Sequence, residues 1–240
     1  MKLKILLDPG HGPGKSHNRG SLIGNEGDNN FLLSRELKKR LEQYDGVGVG
    51  STRPNGSENP TLTKRRDMSE GYDVFLSLHT NASESHKAHG SEIFKSVEKQ
   101  HDNADNHKLA KLINDNVAKY FNSNRGVKTW TYSPKHLDLN YFAVMRRNKA
   151  PYVYLGEFGF HDNKDDIKVI INKRDEIAEA ITQGFVKHFN LKKKTIKTSE
   201  KKMMLRVVVA TFEDRQNALD LQKKLREKGF NSFLVPYKGE

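Results

Sequence analysis

Three nearly unbroken apolar runs constrain this chain most, because each carries an ionisable side chain at or near its end. KLKILL (2–7) leads through Asp8-Pro9-Gly10 to His11. YDVFLSLHT (72–80) holds His79, and APYVYLGEFGF (150–160) encloses Glu157. An alternating strand would leave one face to water, whereas a continuous apolar run needs cover on both faces, as a central parallel strand does. Helical repeats lie between the runs: Leu33, Leu37, Leu41 and Tyr44 over 28–44; Leu109, Leu112, Ile113, Val117 and Phe121 over 105–121; Ile177, Ile181, Phe185 and Phe189 over 174–190. A short helix is expected over 62–70, and weaker strands over DGVGVGSTR (45–53) and GSEIFKS (90–96). Strands alternating with helices predict an α/β layer fold with a mostly parallel sheet. Chemistry in such sheets gathers beyond the carboxyl ends of the strands, where His11, Arg53, His79 and Glu157 are all expected.

Composition narrows the chemistry. There is no cysteine, so any metal must be held by His, Asp or Glu. Forty-two lysines and arginines against 30 acids give a net charge of +12, which points to a polyanionic partner or to a solubilising surface. No apolar run approaches bilayer-spanning length. The N-terminus lacks a small-residue cleavage site and reads as a first strand, not a signal peptide. The expectation is a protein made in the cytoplasm that reaches its target after lysis or holin-mediated release.

Four polar residues interrupt apolar or glycine-rich settings: His11 between two glycines, Glu26 just before the first long helix, His79 after FLSL, and Glu157 inside YLGEFGF. Singly, each has an ordinary structural reading. A strand-end histidine is often satisfied by its neighbours, Glu26 complements a helix dipole, and Glu157 suits a buried ion pair. Together they match catalytic zinc chemistry. Two histidines and a carboxylate leave a fourth position open for water, and a second carboxylate moves the proton. The glycines of GHG let the backbone turn tightly beside such a site.

At these residues the chain resembles a known family. DPGHG (8–12), NEGDNNFLLSREL (25–37), STR (51–53), FLSLHTNAS (75–83) and GEFGFHDN (156–163) are similar to motifs of the zinc-dependent N-acetylmuramoyl-L-alanine amidases of amidase type 3, found in bacterial autolysins and phage endolysins. The resemblance runs in order over about residues 3–190. It implies a three-layer α/β sandwich with a six-stranded sheet, Zn2+ held by His11, Glu26 and His79, and Glu157 as the catalytic acid/base. It also implies hydrolysis of the amide between N-acetylmuramic acid and L-alanine. Asn81 matches a family asparagine near the site and is expected to contact substrate, with a turn residue as its plainer reading. Arg53 and Arg65 match family arginines, with structural salt bridges as the expected role, and Asn163 is expected to cap or brace the loop that positions Glu157. His17 departs from the pattern and competes as a ligand, while His86, His89, His101 and His107 are expected on exposed loops or helix faces.

Residues 191–202 (LKKKTIKTSEKK) read as a polar linker between a catalytic domain over 1–190 and a C-terminal segment over 203–240. That segment reads as a small β-α-β element, with Ala218, Leu221 and Leu225 on one helix face and Gly229 as the stop. It resembles half of the sporulation-related (SPOR) glycan-binding repeat. So small a piece folds poorly alone, so a homodimer through 203–240 is expected. The expected partner is peptidoglycan, an anionic wall, and neither nucleic acid nor membrane. The alternatives are a zinc peptidase cutting within the stem peptide, and a non-catalytic basic wall or nucleic-acid binder.

Overall fold

The computed structural model describes residues 2–15, 21–195, 209–230, 232 and 234. The chain divides into two units, Met1–Thr195 and Ile196–Glu240. In chain order, the first unit contains β1 (Leu3–Pro9), α1 (Glu26–Leu41), β2 (Val47–Ser51), α2 (Leu62–Asp67), β3 (Val74–Asn81), β4 (Ser91–Lys95) and α3 (Ala104–Val117). It continues with β5 (Asn124–Lys128), β6 (Thr131–Ser133), β7 (His136–Asn140), β8 (Tyr152–Phe160), α4 (Lys164–Asn172) and α5 (Arg174–Phe189). Six strands form one sheet in the order β2-β1-β3-β8-β4-β5, and β6 and β7 form a separate hairpin. Neighbours in the main sheet are parallel, apart from the antiparallel pair β4–β8. The mostly parallel α/β fold read from the sequence is the fold observed.

Strand alternation sorts the core into two layers. Ile5, Leu7, Leu76, Leu78, Tyr154 and Phe158 pack with helix residues such as Leu37, Leu41, Ile113, Ile181 and Phe185. Their in-between neighbours Leu6, Phe75, Phe94, Val153 and Leu155 pack on the other face with Val144, Met145 and Ala150, flanked by Met68 after α2. Fully burying each such side chain stabilises the fold by roughly 1.5–3 kcal/mol, so the sheet is held from both sides. Asp8, Ser77, His79, Glu92 and Glu157 share strand parity with the second set, so strand register brings these polar groups to one side of the sheet. The pairs His79↔Glu157 and Glu92↔Glu157 place three of them side by side across β3, β8 and β4.

Several elements escaped the sequence reading. β5 is half-exposed and has no apolar repeat, and β6 and β7 are short and largely exposed. α4 starts at Asn163, whose Oδ1 accepts the N–H groups of Asp165 and Asp166, so the expected bracing role is a helix N-cap. Only Lys173, with φ −117 and ψ 27, separates the nine-residue α4, which the sequence did not announce, from the expected α5. At the start of the expected linker, Lys192 accepts from Asp45 N–H (2.8 Å) and Lys194 N–H donates to Gln43 (2.8 Å).

In the second unit, α6 (Arg215–Glu227) is capped by Asp214, which accepts the Asn217 N–H at 3.0 Å. Gly229 ends it with φ 84, a left-handed conformation that glycine adopts without a Cβ penalty. No residue of α6 is buried. The helix of the expected β-α-β element is present. Residues 209–212 are not in a strand, and the rest of both expected strands lies outside the described residues.

Candidate active site

β1 ends at Pro9, and the chain turns through Gly10 into His11, whose φ of 61 is left-handed, an uncommon conformation for a residue with a Cβ. Arg65 holds this turn in place. Its Nη1 donates to Pro9 O (2.7 Å) and to Asp8 Oδ1 (2.8 Å), and its Nη2 donates to His11 O (2.6 Å). Asp8 also accepts from Thr52 (2.6 Å) and Ser77 (2.7 Å), so this fully buried carboxylate is saturated. Arg53, also fully buried, donates to the carbonyls of Gly27, Gly56 and Glu58 and thereby ties the start of α1 to the loop after β2. Both arginines are structural. Arg65 makes the expected salt bridge, whereas the contacts of Arg53 are to carbonyls.

The turn delivers His11 to Glu26. His11 Nε2 lies 3.0 Å from Glu26 Oε2, and His79 Nδ1 lies 3.1 Å from Glu26 Oε1. The two imidazoles meet edge to face, with centroids 4.9 Å apart. Gly10 is required for this approach, because a Cβ there would stand 2.2–2.6 Å from the His79 ring. Gly27 serves the same purpose from α1, where a Cβ would meet the Gly12 carbonyl oxygen at 2.1 Å. Potential ligand atoms of His11, Glu26 and His79 all lie within 4.8 Å of one another. Zinc bonds of about 2.0–2.2 Å in a tetrahedron separate neighbouring ligands by about 3.3–3.5 Å, so the contacts of the cluster suit such an ion. Burial alone would raise the Glu26 carboxyl, but hydrogen bonds and charge from His11 and His79 hold it well below the usual carboxylate range. An ionised carboxylate between two imidazoles is a donor set that could hold a metal ion.

Glu157 stands on β8 directly opposite His79. Its Oε2 is buried and has no hydrogen-bond partner among the described residues. Burial, and then the negative charges of Glu26 and Glu92, push its pKa well above the ordinary 4.5. Glu92, across the other ladder, is saturated like Asp8: it accepts from Arg125 (2.7 Å), Lys128 (2.5 Å) and Asn81 Nδ2 (2.8 Å). Asn81 Oδ1 accepts the Ala82 N–H at 2.8 Å, so its amide is held at both ends.

Two residues near the cluster were missed in the sequence. His161 is buried, with Nδ1 3.0 Å from both Thr80 O and Thr80 Oγ1 and 3.8 Å from Glu26 Oε2. Thr80 N–H in turn donates to Glu26 Oε1 (3.3 Å). His161 was legible only as the residue following GEFGF, and Glu92 only as a charge on the Phe94 face of an alternating strand. Of the remaining histidines, His86, His89 and His107 are exposed as expected. His101 corrects that expectation: it is 2% exposed, against Ser96 Oγ at 2.9 Å, and burial pushes its pKa down. The loop after β4 folds back over it through Glu98 and Asn140, which is long-range packing with no local periodic signal. His17 lies outside the described residues.

The family profile for N-acetylmuramoyl-L-alanine amidase matches residues 5–187. The chain belongs to that family. A second profile, the SPOR domain, matches 172–236 and so overlaps α5 as well as α6. N-acetylmuramoyl-L-alanine amidase CwlM of Bacillus licheniformis is 26% identical over 241 residues, 97% of this chain and 85% of that one. The probable cell wall amidase LytH of Staphylococcus aureus is 30% identical over 192 residues. The match covers 78% of this chain but only 58% of LytH, so the chain spans little more than half the length of that relative. Among solved structures, the N-acetylmuramoyl-L-alanine amidase from Clostridium difficile 630 shares the fold, with a TM-score of 0.66 at 23% identity, over 79% of this chain and 97% of that one.

Proposed function

We propose that this chain hydrolyses the amide joining N-acetylmuramic acid to L-alanine in peptidoglycan, with Zn2+ held by His11, Glu26 and His79. The observation that carries this reading is Glu157, a carboxyl with an unpartnered buried oxygen set in register beside a His/His/Glu cluster. When bound, zinc supplies a Lewis acid that polarises the lactyl carbonyl and acidifies water. Glu157 Oε2 accepts the proton of the attacking water and returns it to the alanine nitrogen as the amide C–N bond breaks. Burial and the charges of Glu26 and Glu92 raise the affinity of Glu157 for that proton. Asn81 serves substrate binding by fixing Glu92 and the start of the loop after β3 next to that carboxyl. The net charge of +12 favours residence on an anionic wall.

For the C-terminal segment we propose wall binding and pairing between chains. The support is that α6 buries none of its residues while Val209, Phe212 and Phe230 are exposed. A monomeric sedimentation profile at micromolar concentration would sink the pairing. The catalytic reading is tested by digesting walls with wild type, Glu157→Ala and His79→Ala, with chelator and with added zinc, and identifying the freed amino group. Alanine N-termini from the zinc-loaded wild type alone are expected. A new terminus on another stem residue would make the protein a peptidase, and chelator-insensitive lysis would overturn the metal.

A further inference from the structure

We propose that the β6–β7 hairpin carries a saccharide subsite, in which Trp130 and Tyr141 form a platform for a sugar ring of the glycan strand. The proposal rests on the amidase reading for its position, since it places the glycan beside Glu157. The Trp130 and Tyr141 rings stack at 3.9 Å with planes 6° apart, and Tyr141 N–H donates to Trp130 O at 2.8 Å, which locks the pair. The pair stands on the core through Phe94, 6.2 Å from Trp130, and Phe142, edge-on at 5.7 Å. Yet Trp130 remains 49% exposed and Tyr141 43%. Two large flat side chains fixed in one geometry and left half in water present a preorganised apolar surface with little conformational entropy left to lose on binding.

The platform is continuous with the candidate site. Phe94 and Glu92 point to the same side of β4, about 7 Å apart along the strand. Glu92 is the register partner of Glu157, and its ligand Lys128 lies two residues before Trp130. The platform therefore stands on the same side of the sheet as Glu157, reached through Phe94 and Glu92 of β4. The chemistry of the patch favours sugar over stem peptide. The stacked rings carry no charge, and Arg146 is engaged over the Tyr132 ring at 4.6 Å. An uncharged flat ring complements the C–H face of an N-acetylhexosamine, whereas the carboxylates of a stem peptide would call for unengaged cations.

Trp130 is the single tryptophan of the chain, so its fluorescence reports on this patch directly. The full-length protein is titrated with the N-acetylglucosamine tetramer and, separately, with free stem tetrapeptide. A saturable change in tryptophan emission with the sugar alone is expected. In parallel, KM is measured on intact walls and on muramoyl dipeptide, which has one sugar. For Trp130→Ala and Tyr141→Ala, the ratio of wall KM to short-substrate KM is expected to rise about five- to tenfold, with Trp130→Phe restoring most of it. No saturable emission change with the tetramer overturns the subsite, as does a response to the peptide alone or an unchanged KM ratio in a folded Ala variant. If an Ala variant does not fold, the wild-type titration decides. Failure of the wild type to split muramoyl dipeptide into N-acetylmuramic acid and a dipeptide with a free alanine N-terminus sinks the amidase reading instead and leaves the titration to judge the sugar site.

Discussion

Two carboxyls on the same side of the central sheet are treated in opposite ways. Asp8 on β1 is 1% exposed and accepts from Thr52, Ser77 and Arg65, so each of its oxygens is engaged and its charge is matched. Among the described residues, Glu157 on β8 has a buried oxygen without a partner and two negative neighbours in place of a cation. Burying a charge is tolerated when it is paired and hydrogen-bonded, and is costly otherwise. Asp8 follows the rule and holds the GHG turn. Glu157 breaks it, and on the proposed reading the cost falls where a proton must be taken up and released. On that reading a structural carboxyl is saturated and the reactive one is kept short of partners, a difference sharper than burial alone.

The largest effects should come from the unsaturated side. Glu157→Gln should lower hydrolysis of muramoyl dipeptide by about 100- to 10,000-fold, the usual contribution of a positioned acid/base. The same change should leave the fold intact, as checked by thermal melting. A variant retaining full rate would place the reactive carboxyl elsewhere. The pH dependence carries a sign. In the metal-free protein the folded Glu157 holds its proton more tightly than the unfolded chain does. Its contribution to stability is therefore full below the ordinary carboxylate value and is lost as pH rises through the raised one. Glu157→Gln should gain stability relative to wild type across that window in urea titrations, and a constant difference would refute the shift.

The saturated side predicts a stability loss in place of a rate loss. Arg65→Ala strands Asp8 as a buried, partly unpaired charge and should cost about 3–5 kcal/mol in urea unfolding. It should also lower metal affinity, because Arg65 holds the carbonyls of Pro9 and His11. Gly10→Ala lies between the two sides. Its Cβ collides with the His79 ring, so zinc affinity by competitive chelation should fall about 10- to 100-fold. Wild-type affinity in that variant would mean that His79 does not need its observed position.

How much of this was legible follows from the range of the interactions. The central strands declared themselves through continuous apolar runs, and His11, His79 and Glu157 through their placement within those runs. Glu26 was read from its place at the start of the first long helix, which is local information, and it is the first residue of α1. The saturation of Asp8 was not legible, because Thr52, Arg65 and Ser77 come from three distant segments. Nor was the contrast between Glu92 and Glu157, since both read as lone acids in apolar strands and only the β4–β8 register and the Arg125 and Lys128 side chains distinguish them. The β6–β7 hairpin was missed for a different reason: its strands are too short and too exposed to impose a hydrophobic period on the sequence.

The smallest effect is also the most direct probe of the contrast. Glu92 is one of two charges that raise the Glu157 pKa, and its own charge is held against Arg125 and Lys128. Glu92→Gln removes a negative neighbour and leaves two cations less compensated. Both changes favour ionised Glu157, so its pKa should fall. In the zinc-loaded enzyme the acid limb of kcat/KM on muramoyl dipeptide, which requires the base form of Glu157, should then move to lower pH. An unmoved limb would show that burial and Glu26 alone set the pKa, and a limb displaced upward would refute the stated sign of the Glu92 effect.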